Sequence, residues 1–104
     1  MLVSIVVPTF REAPNIEPLS SAIDEVFARD DADYELIIVD DDSGDGIDEV
    51  CRRLEAERPI RLITRRGERG LSTAVLRGFQ ASRGDILVVM DADLSHPVET
   101  IPSM

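Results

Sequence analysis

Lysine is absent from these 104 residues: all 11 basic side chains are arginine, set against 21 acidic ones for a formal charge of −10. A field of that sign repels a polyphosphate backbone, which excludes a general nucleic-acid binder. An acidic, lysine-free surface suits a protein that must stay hydrated in concentrated salt, so a salt-loving (halophilic) source is expected, although a GC-rich coding bias gives the same arginine usage. Cysteine is reduced to Cys51. No intrachain disulfide is available, and Cys51 shares an apolar helical stripe with Ile47, Val50 and Leu54, which reads as a core thiol rather than a nucleophile. No apolar run approaches the roughly 18 residues that span a bilayer. Met1 leads directly into Leu2-Val3-Ser4-Ile5-Val6-Val7 with no basic leader, which places the chain in the cytoplasm as an expectation. Internal repeats and low-complexity stretches are missing as well.

A hydrophobic fraction of 43% excludes a disordered chain. The length is that of one domain, short for a complete α/β enzyme. Four short apolar runs, at 2–7, 34–39, 60–63 and 86–90, read as strands buried on both faces. Helical periodicity fills the gaps. The first helix, with Asn15 as its N-cap, puts Ile16, Leu19, Ile23, Val26 and Phe27 on one face. The second carries Ile47, Val50, Cys51 and Leu54 and ends near Pro59. The third runs from about Leu71 to Ser82, places Leu71, Ala74, Val75 and Phe79 together, and is stopped by Gly84. This β-α-β-α-β-α-β order predicts an α/β fold of three layers, a mostly parallel sheet with helices on both faces. Val98-Glu99-Thr100-Ile101 reads as the opening turn of a further helix. The expectation is therefore a piece of a longer protein, or a homodimer that covers the open sheet edge.

In such sheets ligands gather outside the strands' carboxyl ends. Three of those ends carry polar clusters: Pro8-Thr9-Phe10-Arg11-Glu12, Asp40-Asp41-Asp42-Ser43-Gly44-Asp45-Gly46 and Met90-Asp91-Ala92-Asp93-Leu94-Ser95-His96-Pro97. Taken singly each is turn and cap chemistry, with Asp45 suited to cap the second helix. Three acidic clusters on one rim repel one another unless cations or hydrogen-bond donors meet them. Asp91 and Asp93, one residue apart after a strand, suit a shared hard divalent cation, Mg²⁺ or Mn²⁺, able to hold a diphosphate. The segment Arg65-Arg66-Gly67-Glu68-Arg69-Gly70 concentrates positive charge before a helix and reads equally as an anion contact or as a solvated turn. His96, beside the carboxylates and before Pro97, reads as a structural or supporting residue, with a direct phosphate contact as the alternative.

Together these strings, with Gly70-Leu71-Ser72-Thr73-Ala74 and Gly78-Phe79, resemble in order and spacing the family 2 glycosyltransferases of the GT-A fold, most closely the dolichyl-phosphate (polyprenyl-phosphate) mannosyltransferases. The resemblance implies a nucleotide-sugar donor, GDP-mannose, held by residues 1–104 as the nucleotide-sugar-binding part of a catalytic domain. Its nucleoside would pack against Pro8 and Phe10, with Glu12, Val39 and Asp41 on the base and ribose side. Asp91, Ala92 and Asp93 would face the diphosphate, Asp91 and Asp93 would hold the metal, and Ser95 stands where some relatives supply a third ligand. Two departures matter: Arg11 stands where asparagine is common, and Phe10 replaces the usual tyrosine. The resemblance further implies an inverting transfer to a polyprenyl phosphate at the cytoplasmic face of a membrane, through a later half that carries phosphate-binding arginines and the acceptor surface. The 104 residues alone are then expected to be inactive.

Three other readings are weighed beside it. A phosphoacceptor receiver domain resembles Leu36-Ile37-Ile38-Val39-Asp40-Asp41-Asp42 and Val88-Val89-Met90-Asp91, but needs a lysine that this chain lacks and has no β-α unit ahead of its acidic strand. A UDP-sugar transferase with another acceptor fits less well with Leu94-Ser95-His96-Pro97. The third is a nucleotide-binding module without turnover.

Overall fold

A computed structural model describes residues 2–30, 32–42, 44–66 and 71–92, with side chains in the third helix described from Thr73 onward. The elements are β1 (Leu2–Thr9), α1 (Ala13–Arg29), β2 (Asp33–Asp40), α2 (Ile47–Glu55), β3 (Ile60–Thr64), α3 (Leu71–Ala81) and β4 (Ile86–Val89). All strand pairs are parallel and the order across the sheet is β3-β2-β1-β4. The two central strands are in register from Leu2 opposite Asp33 to Thr9 opposite Asp40.

Successive side chains of a strand point to opposite faces, and β1 and β2 use that period to feed two cores. Val3, Ile5 and Val7 with Leu36 and Ile38 meet Ile16, Leu19, Ile23, Val26 and Phe27 of α1 and Ile47, Cys51 and Leu54 of α2. Val6, Ile37 and Val39 point the other way, toward Ala74 and Ala81 of α3. The three-layer α/β arrangement is therefore as the sequence predicts.

Four local expectations are corrected. α1 begins at Ala13 with Glu12 as its N-cap, two residues before Asn15, because Pro14 fits the first helical turn without needing a donor. Asn15 lies inside the helix and donates its side-chain amide to Glu12 Oε2 at 2.8 Å. α2 takes its N-cap from Gly46, which has a left-handed φ of 90°. Asp45 does not cap it: its Oδ2 accepts from the Ala13 N–H at the start of α1.

α3 does not press Phe79 into the sheet; that ring is 43% exposed, as Leu76 is at 55%. The helix packs through Ala74 and Gly78, where a Cβ on Gly78 would lie 2.3 Å from Val6 Cγ1. A bulky face cannot approach the strand that closely. Gly84 lies three residues past the end of α3 and is needed for close approach, since a Cβ there would stand 2.4 Å from Ser4 Oγ where the chain passes the start of β1. The expected helix from Val98 lies outside the described residues.

The amino ends of the strands are closed by a polar knot. Buried Ser4 donates its hydroxyl to Glu35 Oε2 at 2.5 Å and accepts the Gly84 N–H at 2.7 Å. Glu35 also accepts from the Arg83 N–H at 2.6 Å and from Arg61 at 2.9 Å. Burial pushes the Glu35 carboxyl up, yet these donors together hold it below its ordinary 4.5. On the α1 side Tyr34 stacks at 5.0 Å on Phe27 and donates to Asp24, and burial followed by that bond raises its phenol.

Candidate functional site

The strand order makes β1 and β4 neighbours although α1 leaves toward one face and α3 arrives from the other. That is a topological switch point, where an open parallel sheet forms a crevice at the carboxyl ends. The rim there is built from Thr9, Phe10 and Glu12 after β1, Asp40 to Asp42 after β2, and Met90 to Ala92 after β4.

The three consecutive aspartates after Val39 have three different environments. Asp40 is 1% exposed, closes β2, and accepts the Thr9 hydroxyl at 2.8 Å, tying the ends of the two central strands together. Asp41 lies one residue on, its N–H bonded to the Thr9 carbonyl at 3.1 Å. Its Oδ1 accepts from Arg65 Nε at 2.8 Å and pairs with Nη2 at 2.6 Å. Asp42 is exposed, in left-handed backbone at φ 57°. On the other side of the rim Arg11 also has a left-handed φ of 58°, and its guanidinium sits 5.1 Å above the Phe10 ring. Positive φ is costly for both residues, and both flank the crevice.

Of the residues expected to meet the donor, Pro8, Phe10, Glu12, Val39, Asp41, Asp91 and Ala92 are gathered at this rim. Phe10 is 43% exposed and Asp91 is exposed on the loop beyond β4. Val39 and Ala92 are buried in the two cores, at 0% and 1% exposure. Asp93, Ser95 and His96 lie outside the described residues.

Of the segment read equally as an anion contact or a solvated turn, residues 67–70 lie outside the described residues, and Arg65 turns away from solvent. Its side chain is 4% exposed and committed inward, to Asp41 and, at 2.6 Å, to Thr73 Oγ1 in the first turn of α3. Arg66 is exposed and 3.9 Å from Asp42. Sequence reasoning missed Arg65 as a partner of Asp41 because 24 residues separate them.

Two other depressions differ in character. One of about 600 Å³ at the amino ends of the strands is lined by Glu35, Arg58, Arg61 and Arg83. Its Arg58 donates to Ser20 Oγ and its Arg61 to Glu35 and the Ala81 carbonyl, so those charges maintain structure. A smaller one beside α2 is bordered by Cys51 and Leu62. Burial first, then Asp40, Asp48 and Glu55, pushes the Cys51 thiol up to about 12, which suits packing and not nucleophilic attack.

The chain is 47% identical over its whole length to a dolichol-phosphate mannosyltransferase of Pyrococcus furiosus and covers 29% of that protein. It is 45% identical, over 97% of its length, to the Saccharomyces cerevisiae enzyme of the same name, covering 39% of it. It thus spans about a third of the curated relatives it matches. Among solved structures, a mannosyltransferase from Pyrobaculum calidifontis in complex with GDP-Man and Mn²⁺ superposes with a TM-score of 0.78 at 32% identity, over 94% of this chain and 29% of that one. The receiver-domain alternative is set aside by these matches. The glycosyl transferase family 2 pattern covers residues 4–104, and the chain belongs to that family.

Proposed function

We propose that this chain forms the donor side of an inverting mannosyltransferase that moves mannose from GDP-mannose to a polyprenyl phosphate such as dolichyl phosphate. The observation that carries the reading is the placing of Asp41 and Asp91 on one switch-point rim, in a fold like that of a mannosyltransferase solved with GDP-Man and Mn²⁺. Identity of 45–47% to dolichol-phosphate mannosyltransferases supports the acceptor class.

The nucleoside lies against Pro8 and Phe10, and Asp41 accepts hydrogen bonds from it, with Glu12 and the Val39 main chain beside it. Asp91, the Ala92 main chain and Asp93 face the diphosphate. The donor chemistry fits Mg²⁺ or Mn²⁺: Asp91 offers a hard oxygen on an exposed loop, and such cations take one or two carboxylates plus substrate phosphates and water. Among the described residues no three His, Cys, Asp or Glu side chains converge into a ready cage. The remaining positions then fall to Asp93, Ser95, donor oxygens and water. A bound cation supplies Lewis-acid stabilisation of the charge that gathers on the leaving diphosphate. A phosphate acceptor is already ionised near neutral pH, so one in-line displacement with inversion needs no dedicated base.

No described helix is long and apolar enough to cross a membrane. The lipid acceptor puts the whole protein at work on the cytoplasmic face of one. The acidic, lysine-free surface supports a halophilic setting, in which unfolding midpoints rise from low salt to molar KCl.

Calorimetric titration of the full-length protein with GDP and UDP, with and without Mn²⁺, tests the reading. GDP should bind more tightly than UDP and depend on the cation. A preference for UDP would favour the UDP-sugar alternative, and mannose transfer absent with polyprenyl phosphate but present with another acceptor would refute the acceptor class.

A further inference from the structure

Arg65 follows β3 directly, its N–H donating to the Asp40 carbonyl at 2.8 Å, which fixes its main chain as a continuation of the sheet. A guanidinium buried to 4% exposure must be neutralised and hydrogen-bonded to be tolerated. It meets both needs with one planar fork. Nε and Nη2 both take Asp41 Oδ1, and Nη1 reaches Thr73 Oγ1. The fork thereby joins the end of β2, the end of β3 and the start of α3.

Its effect on Asp41 is directional. The Asp41 main chain is already pinned to Thr9. Both contacts of the fork fall on Oδ1, so Oδ2 takes no part in it, and the side chain remains 18% exposed. A carboxylate aimed in advance loses little rotamer freedom when a ligand's N–H or O–H arrives. The fork also places positive charge where three aspartates follow one another in the chain.

We propose that Arg65 is a positioning residue for nucleoside recognition, acting through Asp41 and anchored by Thr73, without touching the donor itself. The inference rests on the donor reading above and deepens it.

The test uses the full-length protein and measures guanosine, GDP and Mn²⁺-pyrophosphate binding by calorimetry for wild type, Arg65→Lys, Asp41→Asn and the double variant. Lysine keeps the charge but offers one point of contact in place of a fork, so guanosine and GDP should bind about tenfold more weakly, the loss of roughly one charge-assisted bond. Pyrophosphate with Mn²⁺ should be unaffected. In the Asp41→Asn background Arg65→Lys should cost almost nothing more, because the path through Asp41 is already cut. A loss equal in both backgrounds marks a merely structural arginine and overturns the proposal, as does Arg65→Lys binding guanosine like wild type. If Arg65→Lys does not fold, Thr73→Val carries the test: it keeps the ion pair and frees the fork's plane. Weaker guanosine binding then supports the proposal and unchanged binding defeats it. Wild type that binds neither guanosine nor GDP overturns the donor reading itself, an outcome distinct from wild-type binding that survives Arg65→Lys intact.

Discussion

Asp45 Oδ2 accepts the backbone N–H of Ala13 at 3.1 Å, so the loop after β2 closes the first turn of the helix after β1. α1 has no side-chain cap of its own and no acidic residue in its first turn. A carboxylate brought there from elsewhere satisfies an orphan donor and meets the positive end of the helix dipole. Asp45→Ala should cost about 1 kcal/mol of stability, as loss of an N-cap does, and Asp45→Asn much less, since an amide oxygen still accepts. Urea midpoints compare the two; an alanine variant as stable as wild type would show that water replaces the bond freely.

The contact of α3 with β1 yields a second prediction. Alanine normally stabilises a helix interior over glycine by about 1 kcal/mol. At Gly78 the new methyl would stand 2.3 Å from Val6 Cγ1, so Gly78→Ala should instead destabilise by about 1–3 kcal/mol. Val6→Ala opens the space, and the double variant should lose less than the sum of the two singles. Additive losses would mean that Val6 is not what the methyl meets.

Glu35 gives the fold an acid-sensitive contribution. Its carboxyl is held below the ordinary 4.5 in the folded chain, so above that value both folded and unfolded forms are ionised and the stabilisation is complete. As pH falls through 4.5 the unfolded chain takes up its proton first, and the contribution is lost by the time the folded carboxyl protonates. Stability should therefore decline with acid below that point, and Glu35→Gln should flatten that part of the profile while lowering stability at neutral pH. Denaturant midpoints followed across mild acid decide it. A variant that keeps the wild-type slope would assign the acid sensitivity elsewhere.

Asp91 and Asp93 supply the fourth prediction. Removing even the outer partners of a metal ligand costs roughly 10–100-fold in affinity, so Asp91→Asn and Asp93→Asn should each weaken Mn²⁺-dependent GDP binding at least about tenfold. Asp91 is exposed on a loop, and its loss should leave the thermal midpoint unchanged or higher. Retained metal dependence would remove these carboxylates from the cation site, and unfolding of both variants would make them structural.

The fold was legible because the strands are continuous apolar runs and because α1 and α2 repeat their apolar residues at helical spacing, although only β1 and β2 are buried on both faces while β3 and β4 are partly exposed. What escaped is non-local. Phe79 attracted the eye as a hydrophobic anchor, whereas the distance between α3 and β1 is set by what is small, Ala74 and Gly78. Asp45 sits next to α2 in sequence yet caps α1, 32 residues away. Pro14 was the overlooked local signal that α1 starts before Asn15. The rim aspartates were readable because a carboxylate after a buried strand has few places to go, but nothing in Asp40-Asp41-Asp42 distinguishes the one that binds Thr9 from the one that binds Arg65.

The unequal ladders of the sheet divide the rim mechanically. β1 is paired with β2 through eight residues and with β4 through four. Fewer cross-strand bonds open at lower free energy, so amide exchange should be slowest in the β1 and β2 centre and faster along β4. On the proposed donor reading, the side that would meet the base is thus a stiff template, while the side that carries Asp91 is a compliant arm. A nucleoside bound there would meet a surface that does not yield, and its diphosphate one that can adjust to it.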